Sequence, residues 1–195
     1  MTIARRAALA SVAFAALSCR GRPKVAPDPA ATPVPVTTGT LKAGQAFVLE
    51  DDGADPHDTT VTFNPDRPRV IVLRHPDPDN TPFATLEIPA GGLGTGSDPV
   101  TVTLVTRPGV YGLDISATAP FGPGIILTFK YAVHFAAPAA ALAKYGTRAA
   151  YERRLAIARR NADGSLVLLA SGRPAGDNLS ALLNTPGTYV VAASR

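Results

Sequence analysis

The clearest pattern in the chain is an alternation of period two from Ile125 to Phe135. Ile125, Leu127, Phe129, Tyr131, Val133 and Phe135 share one parity, and Thr128, Lys130 and His134 take the other. Side chains of a strand point alternately to opposite faces, so this run predicts a strand with one apolar face and His134 on the solvated one, beside Lys130. Val100–Leu104 alternates likewise, as do Ala84, Leu86 and Ile88 against Thr85 and Glu87, and Tyr189, Val191 and Ala193 near the C-terminus. Shorter apolar runs at 46–49, 70–73, 155–158 and 166–170 complete the set. Turn signals separate them, among them Asp77-Pro78-Asp79-Asn80, Gly91-Gly92, Pro108-Gly109, Gly122-Pro123-Gly124 and Pro186-Gly187. Many short strands divided by turns predict an all-β fold, an antiparallel β-sandwich. One segment departs. Pro138 to Tyr145 is alanine-rich, opens on proline and stops before Gly146, which predicts one short helical crossover between the sheets.

The first 39 residues carry no such alternation. Arg5 and Arg6 head an uncharged run from Ala7 to Ser18, the layout of an export signal. Twelve helical residues span about 18 Å, well short of the roughly 30 Å hydrocarbon core, so this run cannot be a permanent membrane span. It ends in Ala16-Leu17-Ser18-Cys19, which resembles the lipobox of bacterial lipoproteins. That resemblance implies cleavage between Ser18 and Cys19, a diacylglyceryl group on the Cys19 thiol, and palmitate or a similar acyl chain on the new amino terminus. Ala16 stands where leucine is commoner, and Leu17 where alanine or serine is usual. Arg20 replaces the aspartate that retains such proteins at the inner membrane, which points to the outer membrane. Residues 20–39 hold Pro23, Pro27, Pro29, Pro33 and Pro35, and such a stretch extends roughly 60 Å as a tether. The expected organisation is a signal peptide at 1–18, a lipidated cysteine and linker at 19–39, and one domain at 40–195.

Composition narrows the chemistry. The chain has 195 residues, 46% hydrophobic and 17% charged, with a single cysteine. One cysteine excludes an intramolecular disulfide, a cysteine-based zinc finger and a Cys-X-X-Cys redox pair. Net charge is +4 and falls to +2 once Arg5 and Arg6 leave with the signal. That small total hides two opposed regions. Residues 50–98 carry ten acids against three arginines, and residues 130–173 carry eight bases against two acids. In the basic region Arg153, Arg154, Arg159 and Arg160 are the candidate binding residues, with Arg148 and Arg173 nearby and with Arg154 and Arg160 opposite Leu155 and Ile157. A basic face of this kind meets anionic lipid head groups, an anionic cell-wall polymer or an acidic envelope protein, or it pairs with the acidic half of the same domain. Nucleic acid is not an expected partner of an exported chain without interleaved aromatics.

Ala84-Thr-Leu-Glu-Ile-Pro-Ala-Gly-Gly-Leu93, followed by the threonine-rich strand from Val100, resembles the signature hairpin of the ZU-five domain, a β-sandwich. Gly122–Tyr131 resembles that family's central strand, Leu155–Ala170 its next hairpin and Ser180–Ala193 its closing strand. The resemblance covers about 84–195 and leaves 40–83 to supply extra strands. Two departures stand out: the chain has no tryptophan, and His134-Phe135 is followed by Ala136 rather than the serine at which some members cleave themselves.

Catalytic motifs are absent from the sequence. His57, His75 and His134 are too few and too scattered to make a site; His134, beside Lys130 on the polar face, reads as solvated, and His57 falls in an acidic, solvated loop. The acidic stretch Glu50–Asp58 lacks the alternate spacing and terminal glutamate of a calcium loop, and Asp77, Asp79 and Asn80 read as a solvated turn. Gly91–Gly96 is followed by no helix and no Lys-Ser/Thr, so it is a hairpin loop and not a phosphate cradle. Ser97 and Ser165 lack the nucleophile elbow. The expectation is a lipid-anchored envelope protein, monomeric and without cofactor or metal, that binds or scaffolds and does not catalyse. The alternative is a small hydrolase or carbohydrate-binding accessory with a site in the 50–80 loops.

Overall fold

The computed structural model describes residues 38–195, and every strand pairing in it is antiparallel. The larger sheet takes β1 (Gly39–Leu41), β12 (Leu166–Leu168), β11 (Ala156–Arg160), β15 (Gly187–Ser194), β8 (Gly112–Ala117), β7 (Val100–Thr106) and β4 (Thr59–Phe63) in that order, with β2 (Ala46–Val48) on the last residues of β15. The smaller sheet runs β13 (Ser171–Gly172), β14 (Asn178–Leu183), β9 (Ile125–Lys130), β6 (Pro82–Ile88) and β5 (Arg69–Arg74). A two-stranded ribbon joins β3 (Glu50–Asp51) to β10 (Phe135–Ala136). The fold is therefore the expected all-β sandwich of antiparallel sheets.

Alternation sets the core. Leu86 and Ile88 of β6, Leu127 and Phe129 of β9 and Leu179 of β14 join Val102, Leu104, Leu113, Ile115, Ile157 and Val191 of the larger sheet in one buried cluster. Each such side chain contributes about 1.5–3 kcal/mol when fully buried. At β15 the apolar run Tyr189–Ala193 does not alternate, because both of its faces are covered. Tyr189, Val191 and Ala193 face the main core, while Val190 and Ala192 join Ala156, Ala158, Leu166 and Leu168 in a second cluster under Leu41, Ala46 and Val48. Aromatic rings link the interior: Phe83 stacks on Tyr111 at 5.1 Å, Tyr131 meets Phe135 at 5.7 Å, and Phe135 stacks on Tyr151 at 6.1 Å.

α1 (Ala139–Tyr145) occupies the predicted helical segment, and Gly146 ends it at φ 80° with its N–H donated to the Leu142 carbonyl. A second helix, α2 (Arg148–Glu152), follows at once, its first turn capped by the Thr147 hydroxyl. Both lie on the path from the smaller sheet to the larger. Among the described residues no helix is long and apolar enough to cross a membrane.

Two expectations are corrected. The alternating run 125–135 is not one strand: β9 stops at Lys130, Ala132–His134 form a turn, and Val133 is 59% exposed. The ladder ends there because its partner β14 begins at Asn178, opposite Lys130. Ser180–Ala193 is likewise two strands in different sheets, divided at Pro186, which has no N–H to donate, and Gly187, at φ 146°. Residues 40–83 supply strands to both sheets. Among these β4 carries no strong apolar signal, and it pairs with β7 partly through hydroxyls, Thr62 to Thr101 at 2.8 Å and Thr60 to Thr103 at 3.1 Å.

Candidate functional site

The four candidate arginines do not form one face. Arg153 caps α2 and Arg154 follows it, both exposed. Arg159 and Arg160 lie in β11 with opposite parity: Arg159 donates to the Thr185 hydroxyl at 3.2 Å, whereas Arg160 shares the face of Ala156 and Ala158. Arg173 is internal bracing. Its guanidinium donates to the Tyr131 hydroxyl and to the Glu152 and Leu155 carbonyls, tying β13 to the end of α2. Arg148 lies 3.9 Å over the Phe135 ring and pairs with Glu152.

Arg160 instead rims a cleft of about 370 Å³ on the outer face of the larger sheet. The floor is the second apolar cluster, Ala46, Val48, Leu166 and Val190, and the rim carries Lys42, Arg107 and Arg160. The turn holding Lys42 packs on the turn after β11, where a Cβ on Gly164 would stand 3.5 Å from that of Ala43. Arg107 is paired with Asp114 at 2.9 Å. Among the described residues no carboxylate lies within salt-bridge distance of Lys42 or Arg160. Nor, among the described residues, does any lysine or arginine of 130–173 pair with an acid of 50–98; the pairs between the two regions run through His134.

The acidic region converges elsewhere, on histidines that the sequence separated. His75 is 3% exposed, and its ring lies 4.5 Å from that of His134, centroid to centroid. Nε2 of His134 is hydrogen-bonded to Oδ2 of Asp79, and its Nδ1 faces Asp52 at 3.7 Å. That contact is the largest cause holding the Asp79 carboxyl below its usual range. Asp51 is 6% exposed: Oδ1 accepts the Gly53 N–H at 3.0 Å, and Oδ2 has no hydrogen-bond partner. Burial is the largest cause raising its pKa. His57 stays apart and exposed. The reading of the histidines as too scattered for a site is thus corrected for His75 and His134, and the reading of His134 as solvated is corrected with it.

Local structure explains the convergence. His75 extends β5 by one residue, with its N–H donated to the Thr81 carbonyl at 2.9 Å, and the turn between them brings Asp79 back toward it. Register opposes Asp51 to Phe135, and the Asp52 N–H bonds to the His134 carbonyl at 3.2 Å. A signal was present in the sequence: Ile71, Leu73 and His75 share one parity, as do Phe47, Leu49 and Asp51, and each series points inward. A polar residue that ends an inward-facing series is a buried polar residue in need of partners.

Comparison with known families, curated proteins and solved structures returns no match.

Proposed function

We propose that the chain is a lipid-anchored cell-envelope protein whose β-sandwich binds an anionic envelope partner, polymer or protein, and does not catalyse. The observation that carries this reading is the cleft on the larger sheet, where Lys42 and Arg160 stand without carboxylate partners around an apolar floor. A cation beside apolar surface favours a ligand with an anionic group and a non-polar body, since both parts then leave water with compensation. Of the four arginines singled out in the sequence, the cleft supports Arg160; Arg153, Arg154 and Arg159 lie outside its lining. Lys42 and Arg107 complete it.

Anchoring rests on Ala16-Leu17-Ser18-Cys19, outside the described residues, and the proline-rich linker would hold the cleft away from the bilayer. Two or more acyl chains give durable attachment, at about 0.8 kcal/mol per buried methylene. Fractionation of cells carrying Cys19→Ser tests this: the variant should leave the membrane pellet, and retention there through high-salt washing would refute a lipid anchor. The alternative of a hydrolase or carbohydrate-binding accessory draws on the 50–80 loops, where His75 and Asp79 meet His134 but His57 does not join them.

A further inference from the structure

We propose that His75, Asp79 and His134 form a binding site for a divalent first-row transition metal, with Asp51 and Asp52 as its supporting carboxylates. This goes beyond the anion-binding reading, and none of these residues lines the cleft. One donor atom from each of His75, Asp79 and His134 lies within 4.8 Å of the others, and the same holds for Asp51, Asp52 and His134, so His134 is common to two overlapping sets. In a tetrahedral site with ligand distances of about 2.1 Å the donors stand roughly 3.4 Å apart, so closing requires side-chain shifts of about 1 Å.

Protonation favours the site. A carbonyl only accepts, so the 2.8 Å contact of His75 Nδ1 with the Ala54 oxygen puts the proton on Nδ1 and leaves the lone pair of the neutral ring on Nε2. Histidine ligands to metals characteristically donate their other N–H to a carbonyl or carboxylate in this manner. At His134 the Nε2–H now points to Asp79. A metal taking Nε2 would displace the proton there and leave the ring N–H at Nδ1, which already faces the Asp52 carboxylate. The independent observation is Asp51. It is more than nine-tenths buried, and its unpartnered oxygen belongs to a carboxylate grouped with His134, where burial without compensation is costly. A cation beside it supplies that compensation.

Donor chemistry sets the metal class. Two imidazoles with carboxylates suit zinc, copper, nickel or iron, whereas calcium and magnesium take oxygen ligands throughout. The chain has three histidines, so His57 is an internal control.

The test is calorimetric titration of Zn²⁺ into the full-length chain, stripped of metal and carrying Cys19→Ser to remove the thiol. One site per chain is expected, weakened about tenfold or more in both His134→Gln and Asp79→Asn and unchanged in His57→Gln. His134 and Asp79 are partly exposed, so these variants should fold even if His75→Gln does not, and circular dichroism checks that they do. Absence of a Zn²⁺ site in the parent, or its survival in either variant, overturns the proposal. Equal affinity for Ca²⁺ overturns the metal class.

Discussion

Arg159 and Arg160 are neighbours in β11, yet they serve opposite faces of the larger sheet. Arg159 shares the parity of the core residue Ile157 and is held by Thr185 and Asn161, while Arg160 shares the parity of Ala156 and Ala158 and opens onto the cleft. Adjacent charges in a sequence therefore need not make a charged patch in a sheet. The period of two divides them.

Arg173 illustrates the same point at a position where charge is used for bracing. Three acceptors from two segments meet one planar fork, and lysine cannot reproduce that geometry. Arg173→Lys should destabilise the domain by about 1.5–3 kcal/mol in urea unfolding. The denaturation midpoint should fall with the slope unchanged.

Two tyrosines should respond in opposite ways to loss of their hydroxyls. Tyr145 donates to the Ser194 carbonyl at 2.6 Å, so Tyr145→Phe should cost about 1 kcal/mol. The Tyr151 hydroxyl is buried without a partner, and burial raises its pKa. Tyr151→Phe removes an uncompensated polar group and should leave the thermal midpoint unchanged or raise it.

Gly53 gives a way to disturb His134 without replacing it. A Cβ at this position would come within 2.6–2.9 Å of the His134 ring, closer than carbon atoms approach. Gly53→Ala should displace that ring from Asp79 and shift its NMR signals while those of His57 stay in place. Zn²⁺ affinity should fall by about tenfold.

Asp51 should show the opposite signs for stability and binding. Its buried carboxylate has an oxygen without a partner. Asp51→Asn removes the charge and keeps the shape, so at neutral pH the metal-free protein should be more stable in thermal or urea unfolding. The same variant should bind Zn²⁺ more weakly. A loss of stability in the metal-free state would contradict the account of this carboxylate.

The sandwich was legible because its core strands alternate strongly: Leu86 and Ile88, Val102 and Leu104, Leu127 and Phe129 all face inward as their parity predicts. The helix at 139–145 was legible from its proline and glycine. β4 was not, because its pairing leans on threonine hydroxyls rather than apolar contrast. Nor was the end of β9, since alternation continues through Val133 although the partner strand has run out. The cleft was half legible. Arg160 could be named from its charge, but Lys42 and Arg107 come from segments that only the strand order brings together. The His75–His134 pair was hidden for the same reason, with His134 standing 55 positions along the chain from its partner Asp79.

The most direct test of the binding role is quantitative co-sedimentation of the purified full-length Cys19→Ser protein with isolated envelope fragments. Lys42→Glu combined with Arg160→Glu should weaken binding about tenfold or more and flatten its dependence on salt. Arg153→Glu combined with Arg154→Glu makes the same change in charge outside the cleft and should bind nearly as the parent does. Equal weakening by the two pairs, or none by the first, would contradict the assignment of the cleft.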